Sequence, residues 1–322
     1  PQYYRREVAA GHWLPLADPA RFADLAGQLI DAVESGNEPL ANARRRATSG
    51  RFSGKVAVVT GAGSGIGRCA ALAFAREGAT VVACDIDLAS AERTALLIGL
   101  TGAQAHAKRV DVGSADEMEA LAAWVGSELG GADVVINNAG IGMAGGILDT
   151  SARHWERILH VNLWGVIHGS RLFAQQMAAR GTGGHIVNTA SAAAFGPSRD
   201  LPAYATTKAA VLMLSECMRA ELAEKGIGVT AVCPGFAETG IMASTHYAGA
   251  NAQDEARLRK RATKLYQMRG LKPETVAQAM VDGVLRNRPV VAVGGEAHAL
   301  RFVGRFMPWL GRRIARVSMA SH

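Results

Sequence analysis

Cysteine is scarce in this chain. Its four copies, Cys69, Cys84, Cys217 and Cys233, are spread through 322 residues. None forms the CxxC pair of a redox centre or of a metal site, which excludes a disulfide scaffold and a zinc ribbon. Cys84 and Cys233 fall in apolar, strand-like runs and are expected as small core residues, and this cysteine usage fits a reducing cytoplasm. No apolar run is long enough to span a bilayer, and no stretch has a signal-peptide pattern. Aromatic residues make up only 6%. A long block of one charge is also missing. The net charge is +7, but the basic residues are scattered apart from Arg44, Arg45 and Arg46 and the series Arg301, Arg305, Arg312, Arg313 and Arg316. No nucleic-acid partner is therefore expected. What the chain does have is apolar residues at 49% and 37 glycines. That composition suits a large buried core with close backbone approaches rather than disorder. The first residue is Pro1, so the chain is expected to be processed or part of something longer.

From residue 54 onward, short apolar runs alternate with helical patterns. Strands are predicted over 55–60, 80–85, 105–110, 132–137, 184–190, 227–233 and 289–294. Helices are predicted over 65–77, 88–98, 114–129, 151–179 and 203–225, with another after Pro273. Continuous apolar strands separated by helices mean a parallel sheet covered on both faces. With right-handed crossovers this is an α/β, doubly wound, Rossmann-like sheet.

The turn after the first strand reads Thr60-Gly61-Ala62-Gly63-Ser64-Gly65-Ile66-Gly67, a TGxxxGxG pattern rather than GxGxxG. Glycines let the backbone approach a pyrophosphate, and the helix that follows offers free N–H groups. A glycine loop alone is equally an ordinary tight turn, but its place between strand and helix strengthens the cofactor reading. The next strand ends at Asp85, whose carboxylate would accept hydrogen bonds from the adenosine ribose and repel a 2′-phosphate. Ile86 follows, with no adjacent cation. NAD is therefore expected over NADP, with Arg68, inside the following helix, as a weaker counter-argument.

Tyr204 and Lys208 are four residues apart in a helical stretch and share one face. A free phenol has a pKa near ~10, and an adjacent ammonium favours its ionised form. Tyr-xxx-Lys by itself is more often a surface pair. Upstream, Gly184 to Ser191 is a buried strand ending in a serine, where parallel sheets carry their ligand sites; Ser191 is otherwise a hydroxyl capping a loop. Taken together, residues 54–294 resemble a short-chain dehydrogenase/reductase. The motifs that carry the resemblance are Thr60–Gly67, Asp111-Val112, Asn137-Asn138-Ala139-Gly140, Asn162, Ser191, Tyr204 with Lys208, and Pro234-Gly235 with Thr239. The resemblance implies that Tyr204 is the general acid/base and that Lys208 lowers its pKa and holds the nicotinamide ribose. It implies that Ser191 polarises the reacting oxygen and that Asn162 fixes a water linking Lys208 to solvent. Asp111 and Val112 would touch adenine. Asn138, Ala139 and Gly140 would steady the sheet beside the cofactor, and Pro234, Gly235 and Thr239 would hold the nicotinamide. It also implies a homodimer or homotetramer.

The two ends lie outside that pattern. Residues 1–35 hold a strand-like run ending at Gly11-His12, then Asp18-Pro19 and an amphipathic helix with Phe22, Leu25, Leu29, Ile30 and Val33. This resembles the C-terminal end of an α/β-hydrolase, with His12 as its idle histidine, and suggests one part of an epoxide-hydrolase-like fusion; a plain N-terminal arm is the alternative. Residues 36–52 read as a linker and 53–296 as the Rossmann-like domain. The basic, amphipathic stretch 297–322 is expected to pack on the domain or a second subunit, and less readily to touch a membrane surface. The segment 236–272 is expected to be mobile and to cover the substrate, with Phe195, Phe236, Ile241 and Met242 suggesting an apolar one. The expected activity is hydride exchange between NAD(H) and a secondary alcohol/ketone pair. The alternatives are an accessory part of a hydrolase fusion or a noncatalytic NAD-binding module.

Overall fold

The computed structural model describes residues 50–237, 245–251, 253–260 and 270–316. The chain divides into two units, Pro1–Arg46 and Ala47–His322, and the described residues belong to the second. The expectations for residues 1–49, including His12, and those for Thr239, Ile241, Met242 and 317–322, lie outside the described residues.

The elements alternate as the hydrophobic pattern predicts, with ends shifted by one or a few residues. The first half runs β1 (Val56–Thr60), α1 (Gly65–Arg76), β2 (Thr80–Asp85), α2 (Leu88–Gly99), β3 (Ala105–Arg109), α3 (Ala115–Leu129) and β4 (Val134–Asn137). A short β5 (Met143–Ala144) precedes α4 (Ala152–Leu159), α5 (Gly165–Arg180) and β6 (Gly184–Thr189). Then come α6 (Pro202–Leu222), β7 (Ile227–Pro234), β8 (His246–Tyr247), α7 (Pro273–Leu285), β9 (Val290–Val293), α8 (Gly295–Phe306) and α9 (Pro308–Ile314).

Seven strands pair in the order β3-β2-β1-β4-β6-β7-β9, all parallel. Side chains alternate across the sheet. Ala57 and Val59 join Phe74 of α1 and Met280 of α7 in one core. Val56 and Val58 join Met118 of α3, Phe173 of α5 and Leu222 of α6 in the other. Cys84 and Cys233 are both fully buried, as expected of small core residues. Because the strand order reverses between β1 and β4, the helices leave a crevice at the carboxyl ends of those strands, where ligands of such sheets bind. The small β5–β8 pair, Met143 opposite His246 and Ala144 opposite Tyr247, ties the stretch after β7 to the stretch after β4.

The C-terminal segment packs on the domain through one face. Gly304 of α8 lies so close to the Phe195 carbonyl that a Cβ there would sit 2.2 Å from the oxygen. The Arg199 N–H donates to the Ala315 carbonyl at 3.3 Å, and its guanidinium to the Arg316 carbonyl at 3.1 Å. The opposite face leaves Phe302, Phe306 and Trp309 more than half exposed. Among the described residues no helix is long and apolar enough to cross a membrane.

Candidate active site

The crevice is a cleft of about 1110 Å³. Gly61, Ser64, Gly65 and Ile66 line it beside Asp85, Asp111, Val112, Asn138, Ala139 and Gly140, and Ser191, Tyr204, Lys208, Pro234 and Gly235 line it too. Fifteen of the residues singled out in the sequence thus meet in one space, although they come from six strand ends. Gly67 and Asn162 stand behind its wall.

The glycine turn is shaped to admit backbone and little else. Gly61 has φ of +63°, and a Cβ there would come 2.8 Å from the Ala139 Cα. A Cβ on Gly67 would meet the Gly61 carbonyl oxygen at 2.0 Å. Ser64 is the N-cap of α1 but makes no side-chain capping bond, and the first turn carries no acidic residue. The N–H groups of that turn are therefore presented to the cleft with the positive end of the helix dipole behind them. A pyrophosphate fits this cradle. Asp85 sits at the end of β2, its Oδ2 accepting the Gly63 N–H at 2.8 Å and its Oδ1 the Asp87 N–H at 3.1 Å. The Arg68 guanidinium donates to the Gly63 carbonyl and, at 3.1 Å, to the Thr94 hydroxyl.

Helix α6 opens at Pro202, a residue suited to the first helical turn, and so brings Tyr204 and Lys208 onto one face at the mouth of β6. Lys208 is 3% exposed and donates to the Thr189 carbonyl at 2.9 Å. Its Nζ lies 5.8 Å from the centre of the Tyr204 ring. Ser191 begins the turn Ala192–Phe195 and accepts the Ala193 N–H at 3.2 Å. The same hydroxyl is near enough to the Tyr204 phenol to lower its pKa.

The helical pattern expected around 151–179 is present from Ala152 to Arg180, with a π-helical stretch, His160–Trp164, between α4 and α5. Such widened turns recur at functional sites. This one carries Asn162, which is fully buried. Its carboxamide accepts the Ile141 N–H at 2.8 Å and donates to the Ile141 carbonyl at 3.0 Å. Asn162 thus pins the strand that follows Gly140, and its Oδ1 would lie 3.3 Å from a Cβ on Gly140, beside Lys208 Nζ at 3.5 Å. One expectation needs correction, that of a lowered Tyr204 pKa. In the cofactor-free chain burial raises it, and the neighbouring Ser191 hydroxyl, the smaller effect, lowers it. Burial also depresses the Lys208 ammonium, to about 8, and its hydrogen bond goes to the Thr189 carbonyl.

That lysine has a measurable consequence. Its pKa falls from 10.5 to about 8 on folding, so between those values the unfolded chain holds a proton that the folded chain has lost. Stability must rise with pH through that window. The cofactor-free chain and a Lys208→Met variant should therefore differ most at pH 7, where the variant melts higher, and converge toward pH 10.5. Thermal melts of both chains across pH 7–10.5 check this; curves that run parallel would refute it. The comparison cancels the opposite slope from Cys84 and Cys233, whose buried thiols are both pushed up to about 12.

Some site residues gave no usable signal. Thr60 closes the glycine motif, yet its role is tertiary. Its hydroxyl accepts the Asn138 N–H at 3.0 Å and the Ala139 N–H at 3.1 Å, joining the ends of β1 and β4. His160 lines the cleft, and its Nε2 lies 3.2 Å from Asp111 Oδ2. Leu300 and Ile314, from the two C-terminal helices, wall the end nearest Ser191. Phe195, expected over the substrate, lines a second cavity beside the cleft. Of the segment 236–272, Phe236, Ala237 and Thr245 line the cleft.

Comparison with known proteins agrees with this layout. A family model described as short chain dehydrogenase matches residues 55–248. Probable oxidoreductase EphD of Mycobacterium tuberculosis is 43% identical over 323 residues, which cover 98% of this chain and 54% of that protein. The chain thus spans about half the length of this curated relative. Putative oxidoreductase SadH of the same species is 34% identical over 272 residues, 84% of this chain and 96% of the relative. The crystal structure of a short-chain dehydrogenase/reductase from Burkholderia phymatum in complex with NAD superposes with a TM-score of 0.72 at 30% identity, covering 79% of this chain and 92% of that one.

Proposed function

We propose, from the premise that the chain belongs to the short-chain dehydrogenase family, that it exchanges hydride between NAD(H) and a secondary alcohol/ketone pair. One observation carries the reading. The Tyr204 phenol, with Ser191 beside it and Lys208 one turn on, opens into the same cleft as the uncapped glycine turn.

The bound nicotinamide would supply or accept the hydride; the protein contributes orientation and proton transfer. Tyr204 gives its hydroxyl proton to the carbonyl oxygen during reduction and takes it back during oxidation. Ser191 donates to the same oxygen and holds it against Tyr204. Lys208 holds the nicotinamide ribose, and its charge, reinforced by that of an oxidised nicotinamide, draws the phenol below the raised value that burial alone imposes. Asn162 keeps the Gly140–Ile141 stretch in register and positions a water that returns protons to Lys208. Asp111 and Val112 receive the adenine, and Pro234, Gly235 and Thr239 receive the nicotinamide. Homo-oligomerisation and a reducing compartment belong to the same reading, the latter supported by four free cysteines.

NAD is favoured over NADP. Asp85 presents a carboxylate where the 2′-hydroxyl would lie, and Arg68, the nearest counter-argument, is engaged with Gly63 and Thr94. The test is a panel of secondary alcohols and ketones with the two cofactors side by side. We expect kcat/KM at least tenfold higher with NAD, on the order of 1.4 kcal/mol. Asp85→Ser should narrow the gap by raising the KM for NAD and admitting NADP. A preference for NADP in the unaltered chain would overturn the assignment of Asp85.

A further inference from the structure

We propose that the cavity between the Ala192–Phe195 turn and the C-terminal helices binds the alkyl chain of a long-chain secondary alcohol or ketone. The inference rests on the alcohol/ketone reading above and names its substrate class. The cavity measures about 310 Å³. Its described walls are the side chains of Phe195, Pro197, Leu300, Val303, Pro308 and Ile314, with glycine backbone at Gly196, Gly304 and Gly311. The one charged residue among these walls, Arg312, is exposed. With no buried polar side chain among the described walls, a polar group entering would lose hydrogen bonds to water and gain none, whereas a methylene gains by leaving water.

The cavity adjoins the catalytic cleft: Gly196, Pro197, Leu300 and Ile314 line both. The turn that ends at Phe195 begins at Ser191, so the polypeptide from Ser191 to Pro197 runs from the cleft to this apolar space. At roughly 30 Å³ for each small unit filling it, the cavity holds about ten carbons. Ile314, half exposed and on both walls, lies where such a chain would enter from outside. The four walls shared with the cleft are what favour an alkyl chain of the substrate over the protein's own last residues or a second copy.

Gly311 offers a clean test. It is helical, and the nearest atom to a Cβ there is Val303 Cγ1 at 3.6 Å. Gly311→Leu therefore fills the cavity without backbone strain. In the full chain with NAD, kcat/KM should rise by up to about fourfold per methylene from 2-butanol to 2-dodecanol. Gly311→Leu should cut the value for 2-dodecanol at least tenfold and leave 2-butanol and the KM for NAD unchanged. A dansyl-labelled dodecyl alcohol gives a readout that needs no turnover: it should bind the unaltered chain and not the variant. Probe binding without turnover of any alcohol would sink the hydride-transfer reading but keep the alkyl site. Equal probe binding by both chains, or chain-length profiles that superpose, would overturn the alkyl site. So would a chain ending at Arg316 that binds the probe at least tenfold more tightly, since its own tail would then be the occupant. Should Gly311→Leu melt at a much lower temperature, Val303→Phe fills the same space from α8 and is read in the same way.

Discussion

Replacing Tyr204 with phenylalanine should lower kcat/KM for every alcohol and ketone by 10²- to 10⁴-fold, the usual range for one general acid/base, while NAD binds as before. The ring itself is not at issue. It packs beside Met143, Ile158 and Ala203, and phenylalanine keeps those contacts. Only the hydroxyl is lost. Lys208 keeps its bond to the Thr189 carbonyl, and Ser191 keeps the Ala193 N–H, so neither becomes a stranded buried group. The melting temperature should move by no more than a few degrees. Dissociation of NAD, measured by calorimetry, should change less than about twofold, because the groups proposed to hold it, at the ends of β1 to β4 and β7 and at Lys208, all remain. Residual turnover within tenfold of the unaltered chain would remove Tyr204 from its role. A fall in NAD affinity that matches the fall in rate would show a damaged fold rather than a missing proton donor. The pH profile adds a second criterion. Since burial holds the phenol above its ordinary value before the cofactor binds, the profile of alcohol oxidation should lose its rising limb in the variant.

The second large effect is expected from one methyl group. Gly67→Ala places a Cβ 2.0 Å from the Gly61 carbonyl oxygen and 2.6 Å from Asn138 Nδ2. Neither neighbour can yield cheaply. Gly61 is held at φ +63°, and Asn138 Nδ2 is tied to the Thr60 carbonyl at 3.1 Å. Helix α1 cannot retreat either, since Ala70, Ala71 and Phe74 on it are wholly buried in the core. Overpacking at such a site costs about 3 kcal/mol, or a fall of roughly 6 to 12 °C in melting temperature. The same shift moves the N–H groups of the glycine turn, so affinity for NAD should drop about tenfold to a hundredfold. Gly99→Ala is the matched control: nothing lies within 4 Å of a Cβ there, and both stability and affinity should hold. Were Gly67→Ala to bind NAD normally, the close approach of Gly67 to Gly61 would have no part in cofactor binding.

These two substitutions also mark how far the sequence could be read. The role of the glycine turn was legible because phosphate binding by a helix N-terminus is local: eight consecutive residues carry both the turn and the start of the helix. Asp85 was legible for the same reason, since a strand end is fixed by the run before it. The pairing of Tyr204 with Lys208 followed from helical spacing. The π-turn at Asn162 did not, because it leaves the apolar pattern on either side almost unchanged. Nor did the part of Thr60, whose hydroxyl bonds residues more than seventy positions away. The contact of Phe195 with Gly304 on α8 was hidden for a related reason: no pattern near 195 announces it.

The sequence by itself determined that strands and helices alternate, that the first turn can cradle a phosphate, and which side chains are the candidates for the chemistry. Those properties depend on backbone preference and on residues a few positions apart. The tertiary structure alone decided that these side chains share one cleft, that burial sets Tyr204 and Lys208 toward their neutral forms, and that the C-terminal helices wall a second, apolar space. Desolvation and contacts between distant elements arise only when the chain has packed, and they carry no signature in any short stretch of it.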